Sequence, residues 1–152
     1  MAALAALCAL VTLAARGADE AEPPAGAKAE LAKLKGTWVV TRRVLGGREA
    51  KAPAGLVYTF DGGGKVTRRF AAPAGKAGGR QVLTVTLDTR GKPHRMTLSS
   101  GGARKDTVYI YKVEKGELHL ATGRGKGAKA PADFKGDDVL LMVLKKEEKG
   151  KK

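Results

Sequence analysis

The chain has 152 residues, which suits one domain with a modest core. Its 43% of hydrophobic and 29% of charged residues are an ordinary globular balance, and its single cysteine excludes an internal disulfide framework. The formal net charge of +14 is explained by a solvated surface rich in scattered lysines, with non-specific contact to polyanions as the alternative; no basic stripe interleaved with aromatic residues indicates a specific nucleic-acid module.

Residues 1–17 have the features of a signal peptide. The apolar run from Ala2 to Ala15 is too short to span a bilayer comfortably, and Ala15-Arg16-Gly17 places small residues where a signal peptidase cleaves. We therefore predict export to the periplasm, the cell envelope or the medium, with no transmembrane segment after cleavage. An uncleaved hydrophobic anchor is the alternative. Cleavage would also remove Cys8 and leave a mature chain without thiols.

A linker and a short helix are predicted to follow. Residues 18–29 are rich in Ala, Pro and Glu, a composition typical of a flexible linker. The helix is predicted over Glu30–Lys35, because Leu31 and Leu34 share one helical face and Gly36 ends the segment. We expect this helix to plug one end of the domain that follows.

From Thr37 onward, apolar and polar residues alternate with a period of two, and glycine-rich turns separate the alternating segments. Eight strands are predicted, at Thr37–Leu45, Leu56–Phe60, Lys65–Phe70, Arg80–Asp88, Arg95–Ser99, Thr107–Val113, Glu117–Ala121 and Val139–Lys145. The pattern predicts an all-β domain over residues 30–146, folded as a small antiparallel barrel of about eight strands, because closure removes unpaired strand edges. An open two-sheet sandwich is the alternative. Residues 147–152 are predicted to be a charged tail.

Several segments carry a resemblance to a known family. They are Leu34-Lys35-Gly36-Thr37-Trp38-Val39-Val40, Tyr109-Ile110-Tyr111-Lys112-Val113 followed by Gly116-Glu117-Leu118, and Ala130-Pro131-Ala132-Asp133-Phe134-Lys135 followed by Val139-Leu140-Leu141-Met142-Val143-Leu144-Lys145. Together they resemble the lipocalin-like small-domain family of unknown function that is abundant in planctomycete bacteria, over roughly residues 31–146. The chain departs from that pattern at Ala121 and Ala130, where the family has a cysteine and an arginine. The resemblance implies a lipocalin-like barrel and an exported protein, and it implies no activity.

Trp38 stands at the start of the first predicted strand, directly after Gly36-Thr37. In lipocalin-like folds such a tryptophan packs across the closed end of the barrel. We expect a core plug, because a large aromatic side chain is usually buried for packing. A cavity wall is the alternative.

Two arginines are predicted to point into the barrel. In a strand, alternate side chains share a face, so Arg42 lies on the face of Trp38 and Arg68 lies on the face of Val66. A buried guanidinium needs an anion, and the anionic head and apolar tail of a small amphipathic ligand would suit such a cavity. The predicted ligand-binding residues are Arg42, Arg68, Tyr58 and Phe60. The alternative is that both arginines lie near an open rim and reach solvent along their stems.

No catalytic residue, metal site or cofactor is predicted. His94 and His119 stand apart from any acidic cluster, and Ser99 and Ser100 have no evident base partner. The sequence Gly62-Gly63-Gly64-Lys65 lies in a predicted hairpin, whereas a phosphate-binding loop joins a strand to a helix.

The sequence therefore predicts an exported, non-enzymatic, monomeric binding protein for a small amphipathic anion. The alternative is a structural or polyanion-contacting cell-envelope protein whose barrel core is filled by its own side chains, and an enzyme is a distant third. A void lined by the four predicted residues would favour ligand binding, and a packed interior would favour the alternative.

Overall fold

The structure, a computed structural model, describes residues 24–72, 78–103, 105–125 and 128–148. Within them lie a helix, α1 (Ala25–Leu34), and the strands β1 (Gly36–Leu45), β2 (Arg48–Ala50), β3 (Val57–Phe60), β4 (Lys65–Phe70), β5 (Gly79–Asp88), β6 (His94–Ser99), β7 (Thr107–Glu114), β8 (Glu117–Gly123) and β9 (Val139–Lys146). The predicted signal peptide, the first part of the predicted linker and the last four residues of the tail lie outside the described residues.

The strands close into a barrel because β1 pairs with β3 through its first half and with β9 along most of its length. All pairings are antiparallel, and β3 to β9 follow one another in sequence order around the barrel. The short β2 pairs with the second half of β1 through a turn at Gly46 and Gly47, whose φ angles of 56° and 75° suit a tight two-residue hairpin. The predicted all-β barrel of about eight strands with a preceding helix is thus confirmed, and β2 is an addition too short to show alternation.

Helix α1 begins at Ala25, earlier than the predicted start at Glu30, so residues 25–29 of the predicted linker are helical. The buried residues of α1 are Ala27, Leu31 and Leu34, spaced four and three apart along one face. All three join the main core of the barrel, so the helix covers one end as expected. The sequence pattern missed the first turn because its inward residue is an alanine, a weak hydrophobic signal.

We call the end covered by α1, where β1 begins and β9 ends, the helix end, and the opposite end the far end. The inner faces of the strands supply the main core, which includes Tyr58, Phe60, Met96 and Leu120. A second, smaller cluster lies on the outer face, where Ala130 and Phe134 of the β8–β9 connection pack against Ile110, Ala121 and Val139. This covering explains why β9 is apolar on both faces, as its unbroken hydrophobic run predicts.

Candidate functional site

Arg68 lies on the inner face of the barrel. It stands directly opposite Tyr58 of β3 on one side and Gln81 of β5 on the other, and directly opposed residues of antiparallel strands share a face. Tyr58 is 1% exposed, which identifies that face as the interior. Arg68 Nη2 donates a hydrogen bond to Gln81 Oε1 at 2.6 Å, while its Nε is buried and has no hydrogen-bond partner among the described residues.

Two buried tyrosines complete this polar cluster. Burial raises the pKa of Tyr58, and the charge of Arg68 and hydrogen bonds with Arg68 and Tyr109 oppose this rise without outweighing it. Burial likewise raises the pKa of Tyr109, reinforced by its interactions with Tyr58. Both phenols therefore stay neutral at ordinary pH. Neither can neutralise the guanidinium of Arg68.

A cavity of about 120 Å³ opens beside Arg68 at the far end. Its walls are formed by Arg68, Gln81, Leu83, Leu98, Ser100, Lys105, Thr107 and Tyr109. Six of these side chains carry hydrogen-bond donors, two of those are cationic, and none is a carboxylate. A small concave space lined by donors and cations is suited to an oxyanion such as a carboxylate or a phosphate.

The predicted inward direction of Arg42 is wrong. A β-bulge interrupts the pairing of β1 with β9 between Val40 and Arg42, so Thr41 has no partner and the alternation of faces reverses after it. Arg42 therefore lies outside, exposed, and forms an ion pair with Glu49 of β2. The extra residue is held in place by its own hydroxyl, since Thr41 Oγ1 donates to the Val143 carbonyl at 3.2 Å.

The bulge places Arg43 on the inner face instead. Arg43 is half-buried and stands opposite Met142, which belongs to the main core. Its guanidinium forms no hydrogen bond or ion pair with any residue that the structure describes. The interior half of the barrel towards the far end therefore holds a second cation that sequence alternation assigned to the surface.

The other two predicted ligand-binding residues, Tyr58 and Phe60, lie at different levels of the barrel. Tyr58 adjoins Arg68, as expected, but Phe60 lies one inward position closer to the helix end, opposite Gly36 and Val66, and is 2% exposed within the main core. Of the four predicted residues, only Arg68 lines the far-end cavity. Much of the barrel interior is filled by its own side chains.

Trp38 is the predicted plug of the helix end. It is 2% exposed and belongs to the same cluster as Leu31 and Leu34 of α1. Its Nε1 donates to the Leu34 carbonyl at 2.7 Å, which joins the barrel to the last turn of the helix. The ammonium of Lys146 lies 5.6 Å from the centroid of the indole ring and covers it from outside.

The sequence interpretation missed Gln81 and Tyr109, although the alternation of buried and exposed positions in their strands places both on the inner face. Gln81 lies two residues before Leu83 in a strand whose buried positions are every second residue. Tyr109 has the same relation to Tyr111 in β7. Sequence alone could not show that these side chains line one cavity, because β5 and β7 are separated by β6 in the sheet.

The histidines lie apart. His94 is half-buried with its ring 5.8 Å from that of Tyr111, and His119 is directed to the outer face, 3.7 Å from a carboxylate oxygen of Glu117. Desolvation and the nearby charge of Lys112 lower the pKa of His119, so it is neutral at pH 7. Over residues 24–72, 78–103, 105–125 and 128–148, no group of three or more His, Cys, Asp or Glu residues has the arrangement of a metal site.

Comparison with protein-family models, with curated proteins and with solved structures finds no match to this chain. The resemblance to the lipocalin-like small-domain family therefore stays a prediction. In the part of the chain that the structure describes, no helix has the length and apolar character needed to cross a bilayer.

Proposed function

We propose that this chain is an exported, non-enzymatic protein that binds the anionic group of a small amphipathic ligand at the far end of its barrel. The observation that carries the proposal is the guanidinium of Arg68, which lies inside the barrel, has no carboxylate partner among the described residues and borders a cavity lined by donors. Export rests on the predicted signal peptide over residues 1–17, with its apolar run from Ala2 to Ala15.

A cation without a charged partner in such surroundings calls for an anion. Burying a charge is costly, and the two acceptors near the guanidinium, the Gln81 amide oxygen and the Tyr58 hydroxyl, are both neutral. A carboxylate or phosphate would accept hydrogen bonds from the remaining N–H groups, and charge-assisted bonds of this kind are worth about 1.5–3 kcal/mol each. The buried Nε marks where one such bond is missing.

The apolar part of the ligand would lie outside the core. A volume of about 120 Å³ admits a head group, and the side chains of the main core fill the space towards the helix end. Leu83 and Leu98 border the cavity, and Phe70, which is 41% exposed, lies at the rim on the same strand face as Arg68. These three side chains offer an apolar surface beside the anion position.

Isothermal titration with octanoate and with inorganic phosphate tests the proposal and separates the two kinds of head group. We expect Arg68→Gln to lower the affinity for the anion at least tenfold. Arg68→Lys should lower it less, because lysine keeps the positive charge but lacks the planar guanidinium. Arg42→Gln is the matched control, since it removes an arginine from the outer face of the same barrel.

Three results would reject the proposal. The first is equal affinity of wild type and Arg68→Gln for the anion. The second is a loss of affinity in Arg42→Gln as large as that in Arg68→Gln. The third is the absence of binding heat with both octanoate and phosphate at millimolar concentration, which would mean that water alone satisfies the Nε of Arg68. Circular dichroism of each variant shows whether the barrel is intact.

A second candidate function, contact with polyanions by a barrel with a filled core, is favoured by one surface feature. Arg69 of β4 and Arg80 of β5 stand directly opposite each other on the outer face, both exposed. Like charges in this position repel, and neither has an acidic partner among the described residues. A line of phosphate or sulfate groups would relieve that repulsion.

The salt concentration that elutes the protein from a heparin column measures this contact. The double variant Arg69→Gln/Arg80→Gln should elute at lower salt than Arg42→Gln/Arg95→Gln, which loses the same charge at positions close to carboxylates. If the two double variants elute at the same salt concentration, heparin binding depends on net charge alone and the Arg69–Arg80 pair has no specific role. Arg68→Gln should elute close to wild type, which separates this function from anion binding inside the barrel.

A further inference from the structure

A second concave site lies at the helix end, on the opposite side of the molecule from Arg68. It is a cleft of about 490 Å³, within the range of small-molecule sites, and apolar atoms form most of its wall. The cleft is lined by Glu30, Lys33, Lys92, Pro93, His94, Tyr111, Lys112, Val113 and Phe134. Helix α1, the β5–β6 loop, strand β7 and the β8–β9 connection thus meet around one space.

Tyr111 lines this cleft and carries a hydroxyl without a hydrogen-bond partner among the described residues. Tyr111 is 2% exposed, and its hydroxyl is buried with no hydrogen bond to any described residue. Burial raises the pKa of this phenol, and the negative charge of Glu30 raises it further, so the group is a neutral donor. The Glu30 carboxylate is itself engaged by Lys33 at 2.7 Å. An unsatisfied buried donor indicates that an acceptor from outside the chain completes the site.

The walls favour a flat, negatively charged molecule. Phe134 supplies a half-buried ring with Lys112 Nζ 5.2 Å from its centroid, and His94 and Tyr111 add two further rings to the lining, with centroids 5.8 Å apart. Lys92 is exposed at the mouth and has no ion-pair partner among the described residues. With Glu30 already paired, the remaining charge at the mouth is positive.

We propose that this cleft binds a small aromatic carboxylate. Its ring would lie against Phe134 and its carboxylate near Lys92, where one carboxylate oxygen would accept a hydrogen bond from the Tyr111 hydroxyl. The proposal does not depend on the anion site at Arg68, because the two sites share no residue. It concerns a flat ring in a cleft at the helix end, whereas the far-end cavity admits only a head group.

Titration of the full chain with 2-naphthoate tests the proposal. Phe134→Leu keeps an apolar side chain over the outer cluster while removing the ring. We expect at least tenfold weaker binding of 2-naphthoate, because the variant loses both the ring–ring contact and the area that the ring buries. Tyr111→Phe removes only the hydroxyl and should weaken binding about fivefold. Lys92→Gln should weaken it about threefold and reduce its dependence on salt, and Lys51→Gln is the matched surface control.

The neutral isostere 2-naphthamide should bind wild type more weakly than 2-naphthoate does. In Lys92→Gln, the two ligands should bind with equal affinity. Arg68→Gln should bind 2-naphthoate as wild type does, even if its affinity for octanoate is lost. The proposal is overturned if wild type shows no binding at millimolar 2-naphthoate, if Phe134→Leu and Tyr111→Phe both retain wild-type affinity, or if Arg68→Gln loses as much affinity as they do.

Discussion

Replacing Trp38 with phenylalanine removes the hydrogen bond that connects α1 to the barrel. The indole Nε1 is the donor to the Leu34 carbonyl, one of the carbonyls at the C-terminal end of a helix that have no partner within it. Losing this donor in a buried position costs about 1–3 kcal/mol, and the smaller ring adds roughly 1 kcal/mol through lost contacts. We expect Trp38→Phe to lower the free energy of unfolding by about 2–4 kcal/mol.

Urea denaturation followed by far-ultraviolet circular dichroism measures this change, because the variant lacks the only tryptophan of the chain. The dependence of the free energy on urea concentration should stay as in wild type, since the folded state buries nearly the same surface. Phe60→Leu is the control: it removes ring volume from the same core without breaking a hydrogen bond and should cost about 1–1.5 kcal/mol.

A loss below about 0.5 kcal/mol in Trp38→Phe would refute the view that this residue plugs the helix end by packing and hydrogen bonding. Wild-type stability combined with a loss of octanoate or 2-naphthoate affinity would instead support a cavity wall.

Two further outcomes are expected. Burial raises the pKa of Tyr58, Tyr109 and Tyr111, so above about pH 10 the unfolded chain loses protons that the folded chain keeps. The free energy of unfolding should therefore fall by up to about 1.4 kcal/mol per pH unit for each tyrosine, and urea titrations of Tyr109→Phe should show a flatter alkaline slope. Gly123→Ala would place a Cβ 2.5 Å from the Lys129 carbonyl oxygen. We expect a cost of about 1–3 kcal/mol in thermal denaturation and weaker 2-naphthoate binding, and an unchanged midpoint would contradict this packing.

Part of the candidate site was predictable from local pattern alone. Arg68 and Tyr58 are inward because their strands alternate without interruption, and the same rule identifies Gln81 once the inner face of β5 is known. The prediction for Arg42 used the same rule and was wrong, since one unpaired residue, Thr41, shifts every later side chain of β1 to the other face. Nothing local in Thr41-Arg42-Arg43 signals the bulge.

The sequence by itself determined which segments become strands, where the chain turns and which short helix has an apolar face, because these depend on neighbours two to four residues apart. Tertiary structure alone decided what depends on distant partners. The hydroxyl of Thr41 meets the carbonyl of Val143 only once β1 and β9 have paired, and Phe134 borders a cleft only once its connection has folded over the barrel. Register and shared cavities arise from contacts between strands far apart in sequence, so no window along the chain contains them.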